Sequence, residues 1–262
     1  MKLNKRDLIL DYIIEAYLDE NTPIGSTELG LRMDGLIPAS TIRVYFKKLN
    51  DEGAIKQLHV SSGRIPTTST MKKYWLERLD LSEKIDINDE EALADVVSKF
   101  NIYCMIFSSD YEILEEVINH KDRFIILSFD KGEIILKFNS KVYSFLSNLI
   151  GIELSALEKI SIQIGLSELR TKIRELKNSK IEFIANETVA YKIFNDERFK
   201  MLLNPSITTR FNQNIIFSPI FDKGFMGIKR DVVYKNSDAT MLCAGSVYED
   251  YEKFFNNIME AA

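Results

Sequence analysis

Between Ile37 and Trp75 the chain sets Arg43, Lys47, Lys48, Lys56, Arg64, Lys72 and Lys73 against Asp51 and Glu52 alone. Interleaved with them are the hydroxyls of Ser40, Thr41, Ser61, Ser62 and Thr67. Cations and small hydroxyls in this mixture bind phosphate oxygens: guanidinium and ammonium groups supply charge, and hydroxyls and backbone amides supply neutral donors. An arginine on a helix can in addition read the edge of a guanine. Other chemistries lack their residues. The sequence holds no glycine-rich phosphate loop, no nucleophile elbow and no Cys–His pair, so no enzyme activity is expected. Cys104 and Cys243 are the only cysteines and both are flanked by apolar residues, which reads as buried free thiols. His59 and His120 are the only histidines, too few for a zinc site of ordinary spacing. No cofactor or metal is expected.

Those cations need elements to hold them out. Leu8, Ile9, Tyr12, Ile13, Ala16 and Tyr17 recur at helical spacing, and predict a first helix from about Asn4 to Leu18, ended by Asn21-Thr22-Pro23. Ser26 reads as the N-cap of a short second helix, Thr27 to Met33, which Asp34-Gly35 breaks. Pro38 opens a third helix, Ala39 to Asp51, with Ile42, Phe46 and Leu49 inward and Gly53 as its stop. Its other face carries Ser40, Thr41, Arg43, Val44, Lys47 and Lys48. Ala54–Leu58 and the run around Arg64-Ile65-Pro66 then form a β-hairpin, with His59-Val60-Ser61-Ser62-Gly63 at its tip. A helix from about Thr70 to Leu79 follows. Three helices and a hairpin make a winged helix-turn-helix. In that fold the third helix enters a DNA major groove and the hairpin reaches the flanking backbone. Gly63 lets the hairpin turn or approach DNA closely, Pro66 stiffens the strand, and Arg64 is the cation they present.

The chain has 262 residues, 45% of them hydrophobic, enough for two or three compact units. Its net charge of -5 argues against nucleic acid taken alone, but a basic patch within an acidic chain localises attraction to one face. No basic-then-apolar leader and no run of about 18 apolar residues is seen, which reads as a cytoplasmic protein without an integral membrane segment.

Composition shifts at Ser82–Glu91, an acidic stretch read as a boundary. Beyond it, Leu93, Val96, Val97 and Phe100 suit a helix, and Ile102–Phe107 a buried strand. Tyr111–Asn119 reads as helical. Arg123–Phe129 and Glu133–Phe138 read as strands joined by Asp130-Lys131-Gly132. From Lys141 to Pro205 helices dominate, at Val142–Ile150, Ser167–Leu176 and Glu187–Phe194. Strands return near Ile215, at Gly227–Tyr234 and at Thr240–Ala244. A last helix carries Tyr251, Phe254, Phe255 and Ile258 at i, i+3, i+4 and i+7, a face for packing on its own sheet. The expectation is an α+β protein with an antiparallel sheet.

The N-terminal residues carry a family resemblance. Thr41-Ile42-Arg43, then Leu49 and Gly53, then His59-Val60-Ser61-Ser62-Gly63-Arg64-Ile65-Pro66-Thr67 resemble the signature of the heat-inducible transcription repressor HrcA family, which runs ATIRN, a Leu-Glu pair and a Gly, then HTSAGRIPT. Pro23-Ile24-Gly25-Ser26 resembles its PVGS. The resemblance spans about the first 75 residues. It implies a winged helix-turn-helix at residues 1–80, a GAF-like α+β domain at 90–140 and 206–262, and an inserted, mainly helical dimerisation region at 141–205. It also implies a homodimer on an inverted-repeat operator (the CIRCE element) of chaperone operons, with repression supported by the GroEL chaperonin. The chain departs from the pattern at Ser40 for Ala, Val44 for Asn and Asn50 for Glu. A GYR-like stretch becomes Thr70-Met71-Lys72. The C-terminal IGPTRMDY is reduced to Ala244–Tyr251, where Gly245, Asp250 and Tyr251 survive.

The residues expected to meet DNA are Ser40, Thr41, Arg43, Val44, Lys47 and Lys48 on the helix, and His59, Ser61, Ser62, Gly63, Arg64 and Thr67 on the hairpin. For Arg43 the competing reading is an ion pair with Asp51. For His59 it is a bond within the hairpin, and for Ser61 and Ser62 it is satisfaction of the turn. Val44 suits a thymine methyl. Two other functions stay open: a ligand-sensing winged-helix regulator of other genes, and a protein-binding adaptor. The hydroxyl-led cationic helix favours DNA over the adaptor.

Overall fold

The computed structural model describes residues 4–58, 63–108, 112–130, 132–178 and 180–261. The N-terminal elements are α1 (Lys5–Glu20), α2 (Ser26–Arg32), α3 (Ala39–Asp51), β1 (Ile55–Gln57), β2 (Arg64–Pro66) and α4 (Thr68–Arg78). α1 starts where Asn4 accepts from the Arg6 amide, and it stops at Asn21, which takes the left-handed conformation open to asparagine. Ile9, Ile13, Leu29, Ile42, Phe46, Leu49 and Ile55 close a core of their own between α1, α2, α3 and β1. β1 and β2 pair antiparallel, Gln57 opposite Arg64 and Ile55 opposite Pro66. The second helix begins at Ser26, with Gly25 rather than Ser26 as its cap.

Then come β3 (Ile85–Ile87), α5 (Glu90–Ser98) and β4 (Ile102–Ser108), followed by β5 (Leu114–His120), β6 (Phe124–Phe129) and β7 (Gly132–Lys137). Next are α6 (Ser140–Ser147), α7 (Leu154–Gln163), α8 (Ser167–Asn178), β8 (Ile181–Ala185) and α9 (Glu187–Phe194). Two 3-10 turns, Glu197–Met201 and Pro205–Arg210, lead to β9 (Ile215–Ile216), β10 (Phe225–Tyr234), β11 (Ser237–Ser246) and α10 (Tyr251–Ala261). The molecule is α+β. Its main sheet has six strands in the order β3-β10-β11-β4-β8, with β9 beside β10.

Both faces of that sheet are covered, and β4 shows why. Its residues are apolar throughout, so Ile102, Cys104 and Ile106 enter one core with α5 and α10, while Tyr103, Met105 and Phe107 enter the other with α9 and the 3-10 turns. Cys104 and Cys243 sit opposite each other on β4 and β11, buried and free. Burial, then the neighbouring Cys104, pushes the Cys243 thiol upward. Tyr251, Phe254, Phe255 and Ile258 of α10 pack into the first core.

Four expectations are corrected. Tyr111–Asn119 is not helical: its described part is β5, and a register shift between Leu114 and Glu116 puts buried Leu114 and Val117 three apart, which mimics helical spacing. The acidic Ser82–Glu91 stretch holds a strand, because Ile85 and Ile87 alternate into the core between exposed acids. The sheet is mixed rather than antiparallel, since β3 runs parallel to β10. Packing also groups the middle of the chain differently from an insert at 141–205. β5, β6 and β7 form a separate three-stranded sheet whose core is shared with α6, α7 and α8, whereas β8 and α9 belong to the main sheet.

Candidate nucleic-acid interface

The outward face of α3 is set by its inward one. Ile42 and Leu49 are fully buried and Phe46 nearly so, which turns Ser40, Arg43, Val44, Lys47 and Lys48 to solvent, with Thr41 half-buried. Val44 is 55% exposed. Pro38 caps α3 without a side-chain hydrogen bond, and there is no acid in the first turn. The N-terminal end of a helix without a capping side chain or an acid favours an anion.

Arg43 does not pair with Asp51. Its Nε donates to the Ser26 hydroxyl at 3.0 Å, tying α3 to the start of α2. Lys48 lies 5.3 Å from the centre of the Tyr45 ring. Two arginines of these helices are neutralised: Arg6 binds Glu52 at 2.6 Å, which raises its pKa above the ordinary guanidinium value, and Arg32 binds Asp19 at 3.3 Å and Glu20. Among the described residues no carboxylate lies within ion-pair distance of Arg43, Lys47, Lys48 or Lys56. Lys72 and Lys73 fall outside this group, since Lys72 covers the Phe217 ring at 4.9 Å and Lys73 pairs with Glu77 at 3.7 Å.

The hairpin is anchored from below. The Arg64 amide donates to Ile24 O at 2.8 Å, and Arg64 O accepts from the Ile24 amide at 3.0 Å. Gly63 presses on the same residue: a Cβ there would stand 2.4 Å from the Ile24 carbonyl carbon and oxygen. This contact accounts for the glycine. Arg64 is half-buried and its Nε is buried without an acceptor. Thr67 is occupied within the fold, donating to Gly53 O at 2.9 Å and capping α4 through the Thr70 amide. His59, Ser61 and Ser62 lie outside the described residues.

Sequence reasoning missed the segment that carries these elements. Trp75 Nε1 donates to Val247 O at 2.7 Å, Tyr248 Oη donates to Pro66 O at 3.1 Å, and the rings of Tyr17 and Tyr248 meet edge to face at 5.3 Å. Residues 247–251 thus dock α1, β2 and α4 onto the main sheet. This segment falls in Ala244–Tyr251, where the chain departs from the family pattern, and the departure by itself does not signal the docking.

The HrcA C-terminal domain family model matches residues 75–262. Two curated relatives, both named heat-inducible transcription repressor HrcA, come from Helicobacter pylori. The protein of strain ATCC 700392 / 26695 is 29% identical over 98% of this chain and 96% of its own. That of strain J99 / ATCC 700824 is 28% identical over 98% and 95%. A solved hypothetical protein is 19% identical over 99% of this chain and 97% of its own, with a TM-score of 0.48. Among the described residues no helix is long and apolar enough to cross a membrane. With most of its length matched by the domain model, and near-complete relatives bearing the same name, this chain belongs to the HrcA family of heat-inducible transcription repressors.

Proposed function

We propose that this chain is a sequence-specific DNA-binding repressor whose N-terminal elements act as a winged helix-turn-helix. α3 is the recognition helix and β1–β2 the wing. The observation that carries this reading is the outward face of α3, where Arg43, Lys47 and Lys48 have no carboxylate partner among the described residues while Arg6 and Arg32 nearby do. Cations without an internal counter-charge, next to an uncapped helix N-terminus, suit duplex phosphates. In this reading Arg43 and Val44 meet base edges, Ser40, Thr41, Lys47 and Lys48 meet phosphates, and Arg64 with the tip residues His59, Ser61 and Ser62 meets the flanking backbone. Gly63 and Thr67 hold the wing in place.

The protein acts as a homodimer on an inverted-repeat operator of the CIRCE type, upstream of chaperone genes, with the GroEL chaperonin supporting the active form. The three-stranded sheet supports the dimer. Ile118, Ile126 and Ile135 lie in register across β5, β6 and β7 on the face away from its helices, and Ile135 is 51% exposed with Phe124 at 43% beside it. An apolar row of this kind is covered by a second copy.

Selection of bound sequences from a random duplex library, with the purified full-length chain, tests the reading. The expected product is an inverted repeat with half-sites spaced by about 10 bp or a multiple. Failure to enrich any sequence, or enrichment of one unpaired half-site, removes it.

A further inference from the structure

Several arginines of this protein are matched to acceptors. Arg6, Arg32, Arg78 and Arg198 each meet a carboxylate, and the guanidinium of Arg230 donates to Glu83 O at 2.8 Å. One group is different. Arg170 and Arg174 of α8, Lys200 and Arg210 converge with Ser206 on a cavity of about 230 Å³ between α7, α8 and the 3-10 turns. Glu158 is the acid in its wall. It is buried and already holds Lys177 at 2.6 Å, with Arg174 Nε at 3.8 Å.

The donors here lack acceptors. Nε of Arg170 and Nε of Arg174 are buried with no hydrogen-bond partner, and so is Oγ of Ser206, a residue only 8% exposed. The Arg210 guanidinium reaches Met201 Sδ at 3.5 Å, a weak acceptor. Lys200 has only the outlying Glu197, at 3.6 Å. Burial, and next the charge of Arg170, holds the Arg174 guanidinium below its ordinary value. Buried donors without acceptors and cations without counter-charge are both unfavourable, and structures rarely keep them without use.

We propose that this cavity binds a small phosphate-bearing anion. A tetrahedral oxyanion accepts from several directions at once, which suits donors arriving from α8 and from the Pro205–Arg210 turn, and guanidinium groups pair with phosphate through charge-assisted bonds. The volume lies below the about 300–1,000 Å³ of drug-sized pockets, so the occupant is compact. The walls belong to different packing units. Leu169 and Ile173 of α8 sit in the core beneath the three-stranded sheet, while Ile207 sits in a core of the main sheet. A bound anion therefore clamps the two units together, and DNA plays no part in it.

Calorimetric titration and thermal melting of the full-length chain test this, with inorganic phosphate, pyrophosphate and glycerol phosphate as probes and with sodium chloride and citrate at matched ionic strength as controls. At least one phosphate probe should bind saturably and raise the melting temperature, while chloride and citrate do not. Preference for glycerol phosphate over the inorganic probes identifies a phosphorylated metabolite, and the reverse order identifies free phosphate. Arg170→Gln and Arg174→Gln should each weaken binding about tenfold or more. Arg170→Gln removes a cation that has no carboxylate partner among the described residues, so it should melt no lower than the parent when phosphate is absent, whereas Arg174→Gln also gives up the 3.8 Å pair with Glu158. A phosphate response equal to that of chloride, or undiminished in both variants, overturns the proposal. So does a loss of stability in both variants without phosphate, since the cluster would then be satisfied by the protein itself.

Discussion

Arg43 and Arg64 are fastened to the same short piece of chain. The Arg43 side chain bonds Ser26 at 3.0 Å, and the Arg64 backbone exchanges two hydrogen bonds with Ile24 at 2.8 and 3.0 Å. Gly25 alone separates those two anchors. The segment between α1 and α2 thus fixes the distance between the third helix and the hairpin, and it couples the two cations that the DNA-binding reading assigns to base and backbone.

That coupling separates their mutant effects. Arg43→Ala should cost roughly 1–3 kcal/mol in affinity for the selected operator if it reads a base. Arg64→Ala should weaken operator and random DNA alike, and reduce the salt slope by about one unit if it neutralises a phosphate. Gel-shift titrations over a range of salt measure both. Unchanged slopes and affinities in the two variants would end the assignment.

Gly63 and Gly25 make a matched pair. A methyl at Gly63 runs into the Ile24 backbone at 2.4 Å, whereas a Cβ at Gly25 meets nothing within 4 Å. Gly63→Ala should destabilise the protein by about 1–3 kcal/mol, the usual cost of forced backbone displacement. Gly25→Ala should be close to neutral. Denaturant unfolding of the two variants decides, and equal midpoints would contradict the close approach.

One indole is buried in the junction between α4 and the segment after β11. Trp75 is fully buried and its Nε1–H is donated to Val247 O. Trp75→Phe leaves that carbonyl without a donor and should cost about 1–3 kcal/mol in unfolding free energy. Operator affinity of the variant that remains folded should fall less than it does in Arg43→Ala. The opposite ranking would move the function away from α3.

Glu249 gives a dependence on pH. Burial raises its pKa above the ordinary glutamate value, against the opposing effect of hydrogen bonds from Asn101. A carboxyl with a raised folded-state pKa holds its proton more tightly when folded, so stability is lost as pH rises from its unfolded pKa to its folded pKa, and the full loss persists above that. Glu249→Gln should therefore raise the melting temperature near neutral pH, and the gain should fade as pH falls from the raised pKa towards the ordinary glutamate value. A gain that is constant with pH, or a loss at neutral pH, would show that the charge is accommodated.

The isoleucine row makes the dimer testable without truncation. Ile135→Lys places a charge on an exposed position of β7, away from the core that Ile134 and Leu136 enter. At low concentration the variant should keep its unfolding free energy within about 0.5 kcal/mol of the parent's. By sedimentation it should run as a monomer where the parent is a dimer. A dimeric variant would shift the interface elsewhere.

Local chemistry explains which elements were readable in the chain. Ala39–Asp51 was bounded by Pro38 and Gly53 and carried a clear helical period, so α3 has the expected limits. β4 was an unbroken apolar run and α9 a short periodic one, and both were found. α7 and β8 were missed, the first because buried Glu158 and Ser161 interrupt its apolar face and the second because Ile181–Ala185 is too short to signal by itself. β5 reads as a helix because its register shift breaks the period of two. The cationic residues of the third helix stood out by composition. The anion cavity did not, since Arg170 and Arg174 are far in sequence from Ser206 and Arg210.

What the amino-acid order alone determined is whatever one element can encode: the helical period of α3, the cations on its outer face, and the glycine before Arg64. Only the tertiary structure decided what crosses between elements. It set Ile24 against Gly63, seated Trp75 on Val247, joined β3 to β10 in parallel and gathered distant arginines around one cavity. The physical reason is that periodicity and capping act within a few residues, whereas close approach, hydrogen-bond satisfaction and charge pairing depend on distances that exist only once the chain has packed.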